Sequence, residues 1–276
     1  MKKNAVPGIR DYLYEPPGPR ARRRIAAATA VSLLALAALL AVIVRQFYVT
    51  GQLSARYWSL FTRYTTWRFL WRGLAGTLRV AFASSLVAFV LGMLLMLGRI
   101  GRPRVLRWIA TALIELSRGI PTLLFIYFFF LAAPQFGLKL PGFWKIALPV
   151  ALSACGVVAE VLRSGVNAVP KGQTEAALSL GMRGGALFFR IVFPQALRTV
   201  VPALISEIVI VLKDTTFAYV VSYADLMQNA RVLISNYDAL LSVYLVTAVI
   251  YILINYLVNK LAAAIAGRRQ AAAAAV

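Results

Sequence analysis

Charged side chains within apolar stretches are the residues of this sequence that could do chemistry. Glu160 and Arg163 lie three positions apart, as do Glu115 and Arg118, so each pair shares one face if its segment is helical. Charges inside a membrane are costly and usually face a cavity or a partner. Each pair offers a carboxylate and a guanidinium, which are the two charges that a bound zwitterion needs. The two charges of each pair can also neutralise each other. A substrate pathway and a structural ion pair are therefore both open interpretations.

A third acidic residue, Glu207, interrupts another apolar stretch, where it either lines a pathway or has a structural role. The neighbouring Lys213 and Asp214 are interpreted as a local neutralising pair. The sequence contains no histidine, which is the commonest metal ligand and general base. It also lacks the G-x-x-x-x-G-K-[ST] loop that binds nucleotide phosphates. These absences argue against a membrane-embedded enzyme, and we expect neither a metal site nor a cofactor in this chain.

The composition is typical of a membrane protein. Of 276 residues, 61% are hydrophobic and only 14% are charged, whereas a soluble domain carries about 25% charged residues. The 30 Lys and Arg residues far outnumber the 9 Asp and Glu residues. They flank long apolar runs instead of forming one patch, which indicates membrane topology signals and not nucleic-acid binding. The single cysteine, Cys155, excludes an internal disulfide.

Six apolar stretches are long enough to cross a membrane, which takes about 20 helical residues. They cover residues 25–44, 73–98, 109–133, 143–165, 197–221 and 239–259. Pro121 predicts a kink in the third stretch, because proline interrupts the helical hydrogen bonds. The sequence therefore predicts an all-α integral membrane protein with about six transmembrane helices.

The basic residues predict the orientation of these helices. Arginines precede the first stretch at 20–24, and Lys260, Arg268 and Arg269 follow the sixth. The positive-inside rule then places both termini in the cytoplasm. The loop at 46–72 also carries several arginines, so an inverted first helix is the alternative. Aromatic residues interpreted as anchors at the membrane interface are Tyr48, Trp58, Trp67 and Trp71.

The connection between the fourth and fifth stretches has the pattern of a short helix. Pro170 suits a first helical turn, and Glu175 lies near the positive end of the helix dipole. Ala176 and Ala177 allow close approach of a partner, and Gly181 can adopt the left-handed conformation that ends a helix. Such a helix could dock in a groove of a partner, or it could be an ordinary loop helix.

The longer string around this helix resembles the coupling motif of bacterial ABC-importer permeases. It reads E-A-A, then glycine four residues after the second alanine, and ends with an apolar residue before Pro194. The strings RGIPTLLFIYFF, AEVLRSG, VPKGQTEAALSLG, FPQALRTVVPAL and LKDTT resemble the polar amino-acid uptake subfamily and occur in order over residues 73–223. The extra first helix and the string GQLSARYW are most similar to glutamate permeases of Gram-positive bacteria. Ala154 departs from the pattern, since many relatives carry a polar residue there.

This resemblance implies a domain organisation. The chain would comprise a basic cytoplasmic N-terminus at 1–24, an extra transmembrane helix at 25–45, an external loop at 46–72, a five-helix permease core at 73–266 containing a coupling loop at 166–193, and a cytoplasmic tail at 267–276. The location would be the bacterial cytoplasmic membrane.

The resemblance also implies partners and a function. The partners would be a second permease subunit, identical or paralogous, two cytoplasmic subunits that bind ATP and Mg, an extracytoplasmic solute-binding protein, and lipid. The function would be ATP-driven import of a polar amino acid similar to glutamate or glutamine. The alternative is a secondary transporter driven by an ion gradient. Under the importer interpretation, the ATPase-coupling residues are Glu175, Ala176, Ala177, Gly181 and Pro194. The substrate-pathway residues are Glu160, Arg163, Glu207 and Arg118.

Overall fold

Helices make up the architecture throughout the described chain. The computed structural model describes residues 18–274, and within this range the chain forms helices and turns but no strand. It divides into two compact units, with the boundary between Ala55 and Arg56. Residues 1–17 of the predicted N-terminal segment 1–24 lie outside the described residues. The same holds for residues 275–276 of the predicted tail 267–276.

The first unit contains one long helix, α1 (Pro19–Val49). Gly18 precedes it in an extended conformation, and Gly51 follows it with φ of +73°. Its 31 residues include no buried side chain. A helix of this length with exposed apolar side chains can cross a bilayer. It occupies the position of the predicted extra helix at 25–45.

The second unit contains the remaining helices. In chain order they are α2 (Ala55–Trp58, at the unit boundary), α3 (Tyr64–Ile100), α4 (Arg104–Gly119), α5 (Thr122–Tyr127), α6 (Trp144–Ala168), α7 (Lys171–Ser179), α8 (Gly184–Leu187), α9 (Phe193–Asp214), α10 (Leu226–Tyr237) and α11 (Leu240–Ala274). Tighter 3₁₀ turns occur at Ser59–Thr62, Ala133–Phe136 and Thr215–Val221, and wider π turns at Phe128–Ala132 and Phe188–Val192.

The number of membrane-spanning helices agrees with the sequence. Five helical segments of the described chain are long and apolar enough to cross a membrane, and there are six if the bent pair α4 and α5 forms one span. The predicted all-α membrane fold with about six transmembrane helices is therefore confirmed.

Small residues let the helices of the core approach each other closely. A Cβ atom on Gly92 of α3 would lie 2.7 Å from a Val158 methyl of α6. A Cβ atom on Gly165 of α6 would lie 2.8 Å from the Ala196 carbonyl oxygen of α9. Glycines at such contacts are typical of membrane helices, which gain stability from close packing. Helix α6, with a buried side that includes Ala151, consequently lies at the centre of the bundle.

The third predicted stretch is broken, which is more than the kink expected at Pro121. Helix α4 ends at Gly119, and the axis of the segment from Thr122 to Phe136 is bent from it by 99°. Ile120 has φ of −94° and ψ of 125°, because the residue before a proline is excluded from the helical region. The chain therefore changes direction inside the apolar layer.

The two ends of the bundle can be distinguished by α7 and α10. Helices α3 and α6 run parallel, since Ser84 Oγ of α3 donates to the Ala147 carbonyl of α6 at 3.0 Å and, further along both helices, Arg99 pairs with Glu160. Helix α7 directly follows α6, so we call that side of the bundle the α7 end. Helix α10 packs against the first turns of α3, where Asn229 Nδ2 donates to the carbonyl of residue 69 at 2.7 Å. We call this opposite side the α10 end.

Candidate functional site

The predicted coupling helix is α7, and its C-terminus has a defined stop. Gly181 has φ of +77°. The Gly181 N–H donates to the Leu178 carbonyl at 2.9 Å, and the Met182 N–H donates to the Ala177 carbonyl at 3.0 Å. These two bonds form the Schellman motif, which uses a left-handed glycine to end a helix. The chain therefore turns sharply after α7.

The two faces of α7 differ in burial. Ala177 is buried against the rest of the chain, whereas Glu175 and Ala176 are exposed. Leu178 is 51% exposed and Leu180 is 82% exposed. An exposed leucine pair beside an exposed acid, on an otherwise polar connection, is a surface suited to a protein partner. Only part of the predicted coupling set therefore faces outward.

Helix α9 supports α7 from behind. Pro194 lies in the first turn of α9 and is partly buried. The adjacent Gln195 donates through Nε2 to Gln173 Oε1 on α7 at 3.2 Å. Pro194 therefore lies in the element that supports the predicted coupling helix and is less exposed than Glu175 or Ala176.

Three of the four predicted pathway residues meet in one ion-pair network at the α7 end. Glu160 Oε2 accepts from Arg163 Nε at 2.9 Å, and Arg118 Nη1 lies 3.9 Å from Glu160 Oε1. Arg99 of α3 also pairs with Glu160, and Glu115 lies 3.6 Å from Arg118. Three arginines and two glutamates leave one net positive charge, so the network could attract an anion at this end.

Glu207 lies apart from this network. It is only 6% exposed and lines a cavity of about 320 Å³ between α3, α6 and α9. The cavity walls are otherwise mostly apolar. The buried Ser85 hydroxyl also lines the cavity and has no hydrogen-bond partner among the described residues. Within residues 18–274, Glu207 takes part in no ion pair.

A second polar group lies at the break between α4 and α5. Thr122 Oγ1 donates to Asp214 Oδ2 at 2.8 Å and lies 2.8 Å from Ser153 Oγ. Lys213 is exposed, and no ion pair joins it to Asp214 in the part of the chain that the structure describes. Adjacent helical residues do not face each other, which explains this difference from the predicted pair. Sequence analysis missed Thr122 and Ser153, although Pro121 marks the break that positions them.

Comparisons with known proteins agree with these features. Residues 88–270 match the family model described as a binding-protein-dependent transport system inner membrane component. The chain is 36% identical over 219 residues to the glutamate transport system permease protein GluD of Corynebacterium glutamicum, covering 78% of this chain and 80% of that protein. It is 35% identical over 191 residues to the probable glutamine ABC transporter permease protein GlnP of Bacillus subtilis, covering 68% of this chain and 88% of that protein.

Solved structures show the same fold. A crystal structure of an amino acid ABC transporter with histidines superimposes with a TM-score of 0.70 at 29% identity, covering 75% of this chain and 96% of that one. An inward-facing MetNI methionine ABC transporter superimposes with a TM-score of 0.65 at 19% identity, covering 75% and 98% of the two chains. The chain therefore belongs to the family of binding-protein-dependent transport system inner membrane components, as a permease of the amino-acid ABC transporters.

Proposed function

We propose that this chain forms the translocation pathway of an ATP-driven importer for a polar amino acid of the glutamate or glutamine class. A solute-binding protein delivers the amino acid on the side opposite the cytoplasm. The resemblance to a glutamate permease and to a probable glutamine permease supports this substrate class. No covalent change occurs in the substrate, so the work of the chain is conformational.

The partners follow from what α7 presents. Its exposed Glu175, Ala176 and Leu180 form a docking surface for one of two cytoplasmic ATPase subunits, which bind ATP and Mg. A second permease subunit, identical or paralogous, completes the pathway. Both termini lie in the cytoplasm on the same side as α7. The exposed apolar side of α7 is the observation that carries this part of the proposal.

The substrate pathway runs past two groups of polar residues. At mid-depth, Glu207 presents a carboxyl to an otherwise mostly apolar cavity, where an ammonium group would satisfy it. At the α7 end, Arg118 and Arg163 are more exposed than Glu160, which lies between them. They offer a cation to the substrate carboxylate as it leaves. Glu160 positions these arginines.

The coupling part of the proposal is tested with two glycine variants. Gly181→Leu places a side chain where φ is +77°, which costs about 1–2 kcal/mol for an L-residue. Gly181→Asn is the matched control, because asparagine adopts the left-handed conformation far more readily than leucine and occupies the same position. In vesicles containing the assembled transporter, we expect Gly181→Leu to abolish uptake and Gly181→Asn to retain most of it. Equal uptake by both variants at equal membrane insertion would contradict the coupling role of the stop.

The substrate part is tested by uptake of labelled amino acids into the same vesicles. We expect ATP-dependent uptake of glutamate or glutamine that requires the loaded binding protein. Glu207→Gln should reduce this uptake about ten-fold, because a charge-assisted contact contributes roughly 1.5–3 kcal/mol. Uptake that follows an ion gradient in the absence of the ATPase subunits would instead show a secondary transporter.

A further inference from the structure

A strongly basic cavity lies at the α10 end, away from the pathway residues and from α7. It has a volume of about 940 Å³, and one wall is the first part of α3. Three arginines line it, Arg68, Arg72 and Arg79. Their spacings of four and seven residues place them on one helix face. This face of α3 therefore presents three guanidinium groups to a single cavity.

These arginines have no acidic partner among the residues that the structure describes. No Asp or Glu lines the cavity, and none of the three arginines forms an ion pair within residues 18–274. Asp225 directly follows the lining residue Ala224, but its side chain is fully buried and accepts from the Gln228 N–H at 2.7 Å. Like charges four residues apart on a helix repel each other. The cavity therefore has the positive charge of an anion-binding site.

The rest of the cavity is aromatic and apolar. Trp67, Trp71 and Tyr223 line it beside the arginines. The loop that carries Tyr223 packs tightly on α3, since a Cβ on Gly76 would lie 2.3 Å from the Ala224 carbonyl oxygen. Tryptophan and tyrosine are enriched at the level of lipid headgroups. The aromatic side chains beside the arginines thus suit an amphipathic ligand.

The length of α3 gives the depth of the cavity in the membrane. Residues 80–98 carry no charge, and Arg79 and Arg99 bound this run. Twenty residues of helix between the two arginines rise about 30 Å, which equals the hydrocarbon thickness of a bilayer. Arg99 belongs to the ion-pair network at the α7 end. Arg79 therefore lies at the opposite headgroup level, and Arg72 lies about 10 Å further outward.

The face of α3 that carries Arg79 stays apolar and exposed at the depth of the hydrocarbon. Val90 lies eleven residues, or about three helical turns, after Arg79 and is 46% exposed. Val90 does not line the cavity that contains Glu207. A ligand bound along this face would meet guanidinium groups at headgroup depth and apolar side chains below them. A phospholipid has this arrangement, whereas a free amino acid or a soluble protein surface does not.

We infer that Arg72 and Arg79 bind the phosphate of an anionic phospholipid in the leaflet at the α10 end, with its acyl chain on the exposed Val90 side of α3. Arg68, at the outer rim, adds to the local positive potential. The bound lipid neutralises the arginine face and covers the exposed apolar side chains below it. This site does not depend on which amino acid is transported.

Lipid retention by the purified full-length chain tests the inference. Native mass spectrometry from detergent containing phosphatidylglycerol should show a retained anionic lipid, and phosphatidylcholine should be retained far less. We expect Arg72→Gln to weaken phosphatidylglycerol binding about five-fold and the double variant with Arg79→Gln about thirty-fold, because each basic residue at a membrane surface contributes about a five-fold preference for anionic lipid. The matched control replaces Lys139 and Arg231, exposed cations at the same end outside the cavity, with glutamine. It should retain the lipid.

Three results would overturn the inference. The first is equal phosphatidylglycerol retention by the wild type and the double variant. The second is displacement of the lipid by millimolar inorganic phosphate, which would identify a site for soluble anions. The third is a double variant that retains the lipid as the wild type does but docks the loaded binding protein more weakly. This result would make the arginine face a protein interface. Arg72→Lys and Arg79→Lys, which keep the charge, should restore most of the binding and so separate this effect from misfolding.

Discussion

Replacing Glu160 with glutamine should destabilise the permease more than any other single charge change in its ion-pair network. The carboxylate pairs with Arg99 and with Arg163, and Arg118 Nη1 lies 3.9 Å away. Glutamine keeps the shape of the side chain but removes its charge. Three guanidinium groups would then share the single carboxylate that is left in the network, and their mutual repulsion would be largely uncompensated.

The burial of the network sets the magnitude of this effect. The side chain of Glu160 is 20% exposed, and those of its three arginine partners are 22–44% exposed. A surface pair contributes about 0–1 kcal/mol, and breaking a buried pair costs about 3–5 kcal/mol. We therefore expect a loss of about 2 kcal/mol. This corresponds to a decrease in Tm of about 4–8 °C for a chain of this size.

Thermal unfolding in detergent, with Glu115→Gln as the matched control, measures this loss. Glu115 is 57% exposed and its two contacts are 3.6 and 3.9 Å long, so its replacement should cost less than about 1 kcal/mol. Equal decreases in Tm for the two variants would refute the reasoning from burial. An unchanged Tm together with altered substrate preference in Glu160→Gln would show that Glu160 contacts the substrate directly.

Two further predictions concern the membrane topology and the dependence of stability on pH. Single cysteines at Ser54, Gln135 and Asn236 should react with an impermeant reagent added from outside the cell, as expected if both termini are cytoplasmic. Reaction of the residue-54 cysteine only from the cytoplasmic side would show that the first helix is inverted. Burial raises the pKa of Asp225 to about 6, from an ordinary value of 3.8 for an aspartate. The native state then holds this proton more tightly than the unfolded state, so stability should fall by up to about 3 kcal/mol as pH rises from about 4 to about 6. Asp225→Asn retains an efficient helix cap and should remove this part of the pH dependence of Tm, and an unaltered profile would contradict the assignment.

The sequence predicted those parts of the fold that depend on local patterns. Apolar run lengths identified the spans, and Pro170 and Gly181 marked the ends of the coupling helix. Helix α10 was missed, although a local signal was present. Asp225 caps α10 through the Gln228 N–H, and an acid three residues before a glutamine is typical of a helix start.

Contacts between distant segments could not be predicted from local patterns. Arg99 pairs with Glu160 across 61 residues, and Thr122 bonds to Asp214 across 92 residues. Periodicity shows which residues share a face of one helix, but not which helices become neighbours. The size of the bend at Pro121 has the same origin, because proline permits a break and the contacts of Thr122 with Ser153 and Asp214 accompany the new direction.

The unbroken charge-free section of α3 makes this helix sensitive to the thickness of its bilayer. Arginines fix both of its boundaries, at residues 79 and 99, and the helix between them contains no proline at which it could shorten. A thicker membrane would draw one arginine toward hydrocarbon, and a thinner one would expose apolar side chains to water. Tilting is the remaining adjustment, and a tilt of 10° moves one end of a 30 Å rod sideways by about 5 Å relative to the other. We therefore expect transport to be fastest in lipids whose hydrocarbon thickness is near 30 Å and to slow in both shorter-chain and longer-chain bilayers.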